Sequence, residues 1–186
     1  IALGRGAARG AIHHDGQRVL LQTYRVRCHV QPEARSAMPK PHTVELHRVI
    51  RAQPERIYRA FLDAQALAKW LPPHGFTGRM HAMDARVGGG YRMSFTNLGT
   101  GHSHSFGGTF LELVPGERLS HTDTFDDPNL PGQMVTIVTF KPVLVGTEVN
   151  IEQSGIPDEI PPEACCLGWQ ESLQLLAMLV EPEIRV

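Results

Sequence analysis

The sequence predicts an α+β domain in which a curved antiparallel sheet wraps around one long C-terminal helix, with two short helices after the first strand. Three observations predict this fold. Apolar residues recur at spacings of three and four in residues 161–181, which is typical of an amphipathic helix. Residues 77–153 contain six segments of alternating polar and apolar residues. One further alternating segment, followed by an interrupted helical pattern, occupies residues 42–71.

Residues 1–41 form a basic segment that differs from the rest of the chain. They carry seven Lys or Arg residues against Asp15 and Glu33, a balance of +5, which leaves the remainder of the chain at −6. We expect this segment to be a disordered extension with at most one added edge strand, and residues 42–186 to form the domain. Met38 is a candidate natural start, with residues 1–37 upstream of it or added to it; a transit peptide is the alternative.

The first strand and the two short helices are predicted in residues 42–71. Polar and apolar residues alternate from His42 to Ile50, which indicates a strand. Pro54 suits the first turn of a helix, because a missing N–H is harmless there. Asp63 is of the residue type that caps a second helix, and that helix must end before Pro72.

Six strands are predicted next, with short connections that contain turn residues such as the Gly88–Gly90 run and Pro115-Gly116. Short connections between successive strands favour an antiparallel meander. The predicted strands are 77–84, 91–96, 105–114, 118–126, 133–141 and 147–153.

The long helix is predicted over residues 161–181, starting at Pro161-Pro162 and ending at Pro182. A curved sheet and one helix rarely fill the space between them. We therefore expect a cavity with its mouth near the short helices and the loops around Gly88 and Gly101. The apolar stripe that should face the sheet is Leu167, Trp169, Leu173, Leu176, Leu179 and Val180.

Composition argues against several functional classes. A net charge of −1 gives no global basic field for nucleic acid. No apolar run approaches the ~20 residues needed to cross a bilayer, and no secretory signal is evident, so we expect a cytoplasmic protein. Three cysteines (Cys28, Cys165 and Cys166) make no even disulfide framework, and we expect them to be reduced.

Four stretches resemble a known family: RVIRAQPERIYRAFLDAQALAKWLPPHGFT, MDARVGGGYRMSF, FGGTFLELVPGERLSHTDTFDDPNLPGQMVTIVTF and GWQESLQLLAMLVE. In this order they are similar to bacterial homologues of the C-terminal domain of the heat-shock-protein-ninety ATPase activator. These belong to the START-like (SRPBCC) helix-grip superfamily, which includes the birch-pollen-allergen type and polyketide cyclases. The resemblance runs from about Val44 to Glu181, and Leu71 stands where many relatives carry a second tryptophan.

The resemblance implies a helix-grip fold and, less directly, a function. Members are implied to bind hydrophobic small molecules, to act as cyclases, or to serve as a co-chaperone. That co-chaperone has a separate N-terminal domain without counterpart here, so a chaperone interaction is the least expected of the three.

The candidate ligand-binding residues are large apolar side chains on the predicted inner faces, with one basic residue. Because lining a pocket and packing a core require the same residue types, either role fits each of them. The candidates are Trp70, Phe76, Tyr91, Met93, Phe106, Phe110, Trp169 and Arg92.

His121 and Asp123 are the candidate catalytic residues. They share one strand face with Leu119 and Phe125, and a histidine beside a carboxylate can act as a general base next to a carbonyl. A hydrogen-bonded polar pair is the alternative. The run His102-Ser103-His104 lacks a third ligand at metal-site spacing, so we expect neither a metal nor a cofactor.

The leading hypothesis is therefore binding of a small hydrophobic or amphipathic molecule between sheet and helix. The second is a cyclase-like enzyme that uses general acid–base catalysis in the same cavity. The third is a chaperone-interacting module that acts through an outer face. Paired sheet edges could also make a homodimer.

Overall fold

The computed structural model describes residues 27–30 and 42–183. Within them, eight strands form one sheet and three helices pack on it. The elements in chain order are β1 (Arg27–Val30), β2 (His42–Ile50), α1 (Pro54–Leu62), α2 (Ala64–Trp70), β3 (Phe76–Met83), β4 (Gly90–Asn97), β5 (Ser103–Val114), β6 (Arg118–Phe125), β7 (Met134–Val143), β8 (Gly146–Ile156) and α3 (Pro162–Val180).

The sheet is antiparallel throughout, with the strand order β1-β2-β8-β7-β6-β5-β4-β3. Strands β3 to β8 form the predicted meander, and β2 pairs with β8. The curved sheet, the long C-terminal helix and the two short helices after β2 confirm the predicted helix-grip fold.

Strand β1 lies within the basic segment, where one added edge strand was expected. It pairs with β2 from Arg27 opposite His47 to Val30 opposite Val44. The other positions of residues 1–41, for which disorder was predicted, lie outside the described residues.

Helices α1 and α2 close one end of the sheet. Asp63 caps α2, since its Oδ1 accepts hydrogen bonds from the backbone N–H groups of Gln65 (2.9 Å) and Ala66 (2.8 Å). The Trp70 indole links α2 to α1, because its Nε1–H donates a hydrogen bond to the Ala60 carbonyl oxygen at 2.9 Å. The Phe61 ring packs edge-on against Trp70 at 4.7 Å between centroids, which fixes the angle between the helices.

Helix α3 buries Leu173, Leu176 and Val180 against the inner face of the sheet. The predicted stripe is wrong at Leu167, which is 57% exposed. At 3.6 residues per turn, Leu167 lies about 120° around the helix from Leu173, whereas Trp169 lies within about 40° of it. Leu179 is half-buried at the other margin of the buried face.

The adjacent cysteines of α3 have different environments, because neighbours on a helix point about 100° apart. Cys165 is a free thiol. The prediction of reduced cysteines is wrong for Cys166, which is disulfide-bonded. The side chain of Cys28 lies outside the described residues.

Among the described helices, none has the length and apolar character needed to span a membrane.

Candidate functional site

A cavity of about 220 Å³ lies where the sequence predicts one, between the inner face of the sheet and helices α2 and α3. Strands β4 to β8 supply one wall, because their alternate side chains all point inward. The end of α2 and the first turns of α3 supply the opposite wall.

Aromatic side chains make up most of the cavity wall. Of the predicted ligand-binding residues, the structure brings together Trp70, Tyr91, Phe106, Phe110 and Trp169. Sequence reasoning did not select Phe61, Phe95 and Phe125, which also line the cavity. Phe125 alternates with Leu119 on β6, so its inward direction was readable from the strand pattern.

Three predicted residues lie away from the cavity. Met93 is fully buried in the surrounding core. Phe76 lies beyond the cavity lining, with its ring 6.0 Å from that of His104. Arg92 follows Tyr91 on β4 and so points to the outer face, where it pairs with the Asp126 carboxylate.

The inner part of the cavity is polar and is built around Asp123 on β6. The Tyr91 hydroxyl donates to Asp123 Oδ1, and the Thr136 hydroxyl donates to Asp123 Oδ2 at 3.3 Å. His121 Nδ1 lies 3.2 Å from Asp123 Oδ2 and 3.3 Å from the Thr122 carbonyl oxygen. The structure thus brings the two candidate catalytic residues together and adds Tyr91 and Thr136 to them.

The hydrogen-bond network continues from Asp123 across the sheet to α3. Gln153 Nε2 donates to the Thr136 hydroxyl at 3.2 Å. Gln153 Oε1 in turn accepts from Trp169 Nε1 at 2.9 Å and from the Cys165 thiol at 3.3 Å. Gln153 was not selected, although it alternates with the inward residues Val149 and Ile151 on β8.

Burial determines the charges in this network. Removal from water raises the pKa of Asp123 well above its ordinary value, although the hydrogen bond from Thr136 opposes this. Removal from water also lowers the pKa of His121 to about 4, with the Thr122 carbonyl opposing the shift. Both shifts favour the uncharged form, because burial penalises the charged form of each side chain.

The cavity opens toward the end of the sheet at which β4 ends and β5 begins. Its partly exposed lining residues there include Phe95 and His104, together with Pro73 after α2 and Ile160 before α3. No residue of the loops around Gly88 and Gly101 lines the cavity, so the expected position of the mouth beside both loops stays a prediction. Gly88 donates its N–H to the Phe110 carbonyl at 2.8 Å, behind the polar end.

His104 packs among aromatic rings at the mouth, with its ring 5.6 Å from that of Phe95. Burial lowers its pKa. Within the described part of the chain, no three His, Cys, Asp or Glu side chains are grouped as metal ligands.

Comparisons with known proteins agree with the geometry. The family model described as "Activator of Hsp90 ATPase homolog 1-like protein" matches residues 51–181. No curated protein matches the chain. A crystal structure of a Chromobacterium violaceum protein is 58% identical, with a TM-score of 0.75, and covers 78% of this chain and 100% of that one.

Two more distant structures share the fold. A Rhodobacter sphaeroides protein is 21% identical with a TM-score of 0.66, over 82% of this chain and 97% of that one. An AHSA1-like protein from Aeromonas hydrophila is 22% identical with a TM-score of 0.61, over 75% of this chain and 92% of that one. On the match of the family model and the 58% identical structure, the chain belongs to the Activator of Hsp90 ATPase homolog 1-like family.

Proposed function

We propose that the protein binds a small, largely apolar molecule in the cavity between the sheet and α3. The observation that carries this proposal is the cavity itself, whose aromatic walls surround a hydrogen-bonded polar end. Pockets of this composition, with few polar groups among many apolar ones, are typical of small-molecule sites.

The energetics of packing support a role for this space. Unfilled volume in a protein core destabilises the fold by about 24 cal/mol per Å³. The cavity of about 220 Å³ is open at its mouth, so this coefficient does not convert its volume into a free energy, but the apolar side chains in its wall still forgo part of their packing. Larger side chains at lining positions such as Gly168 or Ala164 would remove the cavity, so its presence favours a function that uses it.

Native mass spectrometry of the full chain, beside its denatured mass, tests the proposal. We expect a small-molecule adduct that dissociates on denaturation. Gly168→Leu is the matched control, because a Cβ on Gly168 meets no atom within 4 Å and the side chain would extend into the cavity. If the wild-type chain carries no adduct and also binds no small aromatic probe at millimolar concentration, the proposal is wrong.

General acid–base catalysis in the same cavity is the second candidate function. The observation that favours it is the contact of Tyr91, Asp123 and His121, since an imidazole beside a carboxyl group can exchange protons with a substrate. The test is hydrogen–deuterium exchange at the methyl group of acetophenone in D₂O, followed by NMR. Exchange that the protein accelerates and Asp123→Asn abolishes would support catalysis; exchange at the rate of buffer alone would exclude this chemistry for that ketone.

The chaperone-interacting module has less support than either cavity function. Such a module needs a filled interior and a contiguous exposed apolar surface. Here the interior retains a cavity. Of the exposed apolar side chains, Leu144 and Val145 share the turn between β7 and β8, whereas Leu98 follows β4 and Leu111 lies on β5.

A further inference from the structure

The aromatic side chains of the cavity wall are paired with one another, with one exception. Eight Phe, Tyr and Trp side chains line the cavity, and in seven of them the ring centroid lies 4.7–5.9 Å from that of another lining ring. Aromatic rings attract one another at such distances, beyond the effect of the area that they bury. The seven paired side chains are Phe61, Trp70, Tyr91, Phe95, Phe106, Phe110 and Phe125.

Trp169 on α3 is the exception. Among the described residues, no aromatic ring pairs with its indole. The side chain is half-buried and lines the cavity, so part of the indole surface is open to a bound molecule. An aromatic group in the cavity would supply the ring contact that this side chain lacks.

Hydrogen bonds fix the position of the Trp169 indole before any molecule binds. Its Nε1–H donates to Gln153 Oε1 at 2.9 Å, and Gln153 Nε2 donates to the Thr136 hydroxyl at 3.2 Å. Ala164 and Gly168 line the cavity on the same helix, and a Cβ on Gly168 would meet no atom within 4 Å. A side chain that is held in place beside open space binds a ligand at a lower entropic cost than a mobile one.

The sheet supplies the opposite aromatic wall of the cavity. Phe106 and Phe110 lie four residues apart on β5, so both point to the inner face. The Phe106 ring is edge-on to Phe95 at 84°, and the Phe110 ring is tilted by 40° to Tyr91. A flat ring between sheet and helix can therefore contact the Trp169 indole and a phenyl ring of β5 together.

Resting on the proposed binding function, we propose that the part of the ligand that enters the cavity is an aromatic ring, which packs against the Trp169 indole. Such a ring contact gives about 2- to 10-fold in affinity beyond the area that an alkyl group of the same size would bury. An apolar cavity of about 150 Å³ accommodates benzene, so a cavity of 220 Å³ accommodates one substituted ring. A larger ligand would extend through the mouth beside Phe95 and His104.

Acetophenone and cyclohexyl methyl ketone are the two probes that test this inference. They have the same number of non-hydrogen atoms and the same carbonyl group, and they differ in the aromaticity of the ring. NMR titration measures the affinity of each probe for the full chain and for Trp169→Leu. The ratio of the two affinities is compared between wild type and variant, so that the different hydration of the probes cancels. We expect the preference for acetophenone to fall about 2- to 10-fold in Trp169→Leu.

Phe76→Leu is the matched control, since this aromatic side chain lies beyond the cavity lining, with its ring 6.5 Å from that of Phe95. The control should keep the wild-type ratio. If Trp169→Leu does not fold, nuclear Overhauser effects between acetophenone and the wild-type chain decide the question. We expect the ring protons of acetophenone to contact the Trp169 indole protons. Contacts confined to the non-aromatic lining residues, such as Met134 and Ile156, would overturn the assignment.

The outcomes separate this inference from the binding function. Equal affinity ratios in the wild type and Trp169→Leu would overturn the aromatic assignment and leave the binding function in place. A fall in Phe76→Leu as large as the fall in Trp169→Leu would also overturn it, because the preference would then not depend on the indole. Absence of binding of both ketones to the wild type at millimolar concentration would overturn both proposals.

Discussion

Asp123 is a carboxyl group that folding places among apolar side chains, and its replacement by asparagine should stabilise the protein increasingly as the pH rises. The side chain is 5% exposed, and the folded-state pKa lies well above the ordinary value of 3.8. Asparagine has the same shape and no charge. Its oxygen can accept from Tyr91, and its amide can replace the carboxylic proton toward His121 Nδ1.

The magnitude follows from counting protons. Above pH 3.8 the unfolded chain loses the Asp123 proton, whereas the folded chain keeps it up to its raised pKa. Wild-type stability that is present below pH 3.8 is therefore lost at about 1.4 kcal/mol per pH unit. His121 opposes this loss between about pH 4 and 6.5, because its folded-state pKa is lowered to about 4. Where the two titrations overlap, folding moves one proton from His121 to Asp123, and the two contributions to wild-type stability oppose each other.

Asp123→Asn removes one of these two opposing contributions. The variant should gain stability with pH between about 4 and 6.5, where only His121 titrates, and stay level above that interval. The wild type should gain less stability than the variant over that interval, because the raised pKa of Asp123 opposes the gain. Chemical denaturation of both proteins at half-unit steps from pH 4.5 to 8.5 measures the difference between their unfolding free energies. The contributions of all other groups cancel in this difference.

The difference in unfolding free energy should grow by about 1.4 kcal/mol per pH unit and level off at the folded-state pKa of Asp123. A difference that does not change with pH would mean that Asp123 titrates normally in the folded protein. A difference that shrinks as the pH rises would mean that the folded protein stabilises the carboxylate. Either result would refute the raised pKa of Asp123 in the folded protein.

Three further substitutions test the packing around the cavity by chemical denaturation and probe binding. Gly108→Ala should destabilise the protein by more than about 2 kcal/mol, because a Cβ there would collide with the Thr122 carbonyl of the paired strand; a stability equal to wild type would show that the strands can move apart. Gly168→Ala should instead stabilise α3 by about 0.5–1 kcal/mol, since no atom lies within 4 Å of the added Cβ. The same substitution should weaken acetophenone binding, because the methyl group narrows the cavity. Tighter binding would contradict the lining role of Gly168. Trp169→Phe removes the donor to Gln153 Oε1 and should cost about 1 kcal/mol, whereas Trp169→Ala should cost more and also weaken the binding of every probe. Unchanged probe affinity in Trp169→Ala would make this side chain structural only.

The elements of the fold were predictable because each one has a local cause. Alternation marks β4, where Tyr91 and Met93 point inward and Arg92 points outward. The cap at Asp63 and the prolines at the helix starts set helix boundaries through backbone chemistry that involves few residues. These signals do not require knowledge of distant contacts.

The cavity lining was predictable only in part, because burial does not distinguish a residue that lines a cavity from a residue in the packed core. Met93 and Phe106 are cross-strand neighbours on the inner face, yet only Phe106 borders the cavity. The selection of Arg92 as a ligand contact was avoidable, since its position on β4 already directed it outward. Gln153 was missed because its role depends on Trp169 and Thr136, which lie on other elements.

The polar pair illustrates a second limit of the sequence. Its position on the inner face of β6 was predictable from alternation with Leu119. Its charge state was not, because the pKa shifts depend on how completely the sheet and the helices exclude water. A sequence can place His121 beside Asp123, but only the packed structure shifts the pKa values of both side chains.

The four residues of β1 have a consequence for self-association. An exposed strand edge offers unpaired N–H and C=O groups to any neighbouring chain, and natural sheets protect such edges. β1 pairs with β2 from Val44 to His47, so the stretches of β2 that β1 does not cover are short, His42–Thr43 and Arg48–Ile50. The family model matches residues 51–181, which places β1 and β2 before the match. Removal of residues 1–37 would take away β1 and expose the backbone edge of β2, and the shortened chain should aggregate at concentrations at which the full chain stays dispersed.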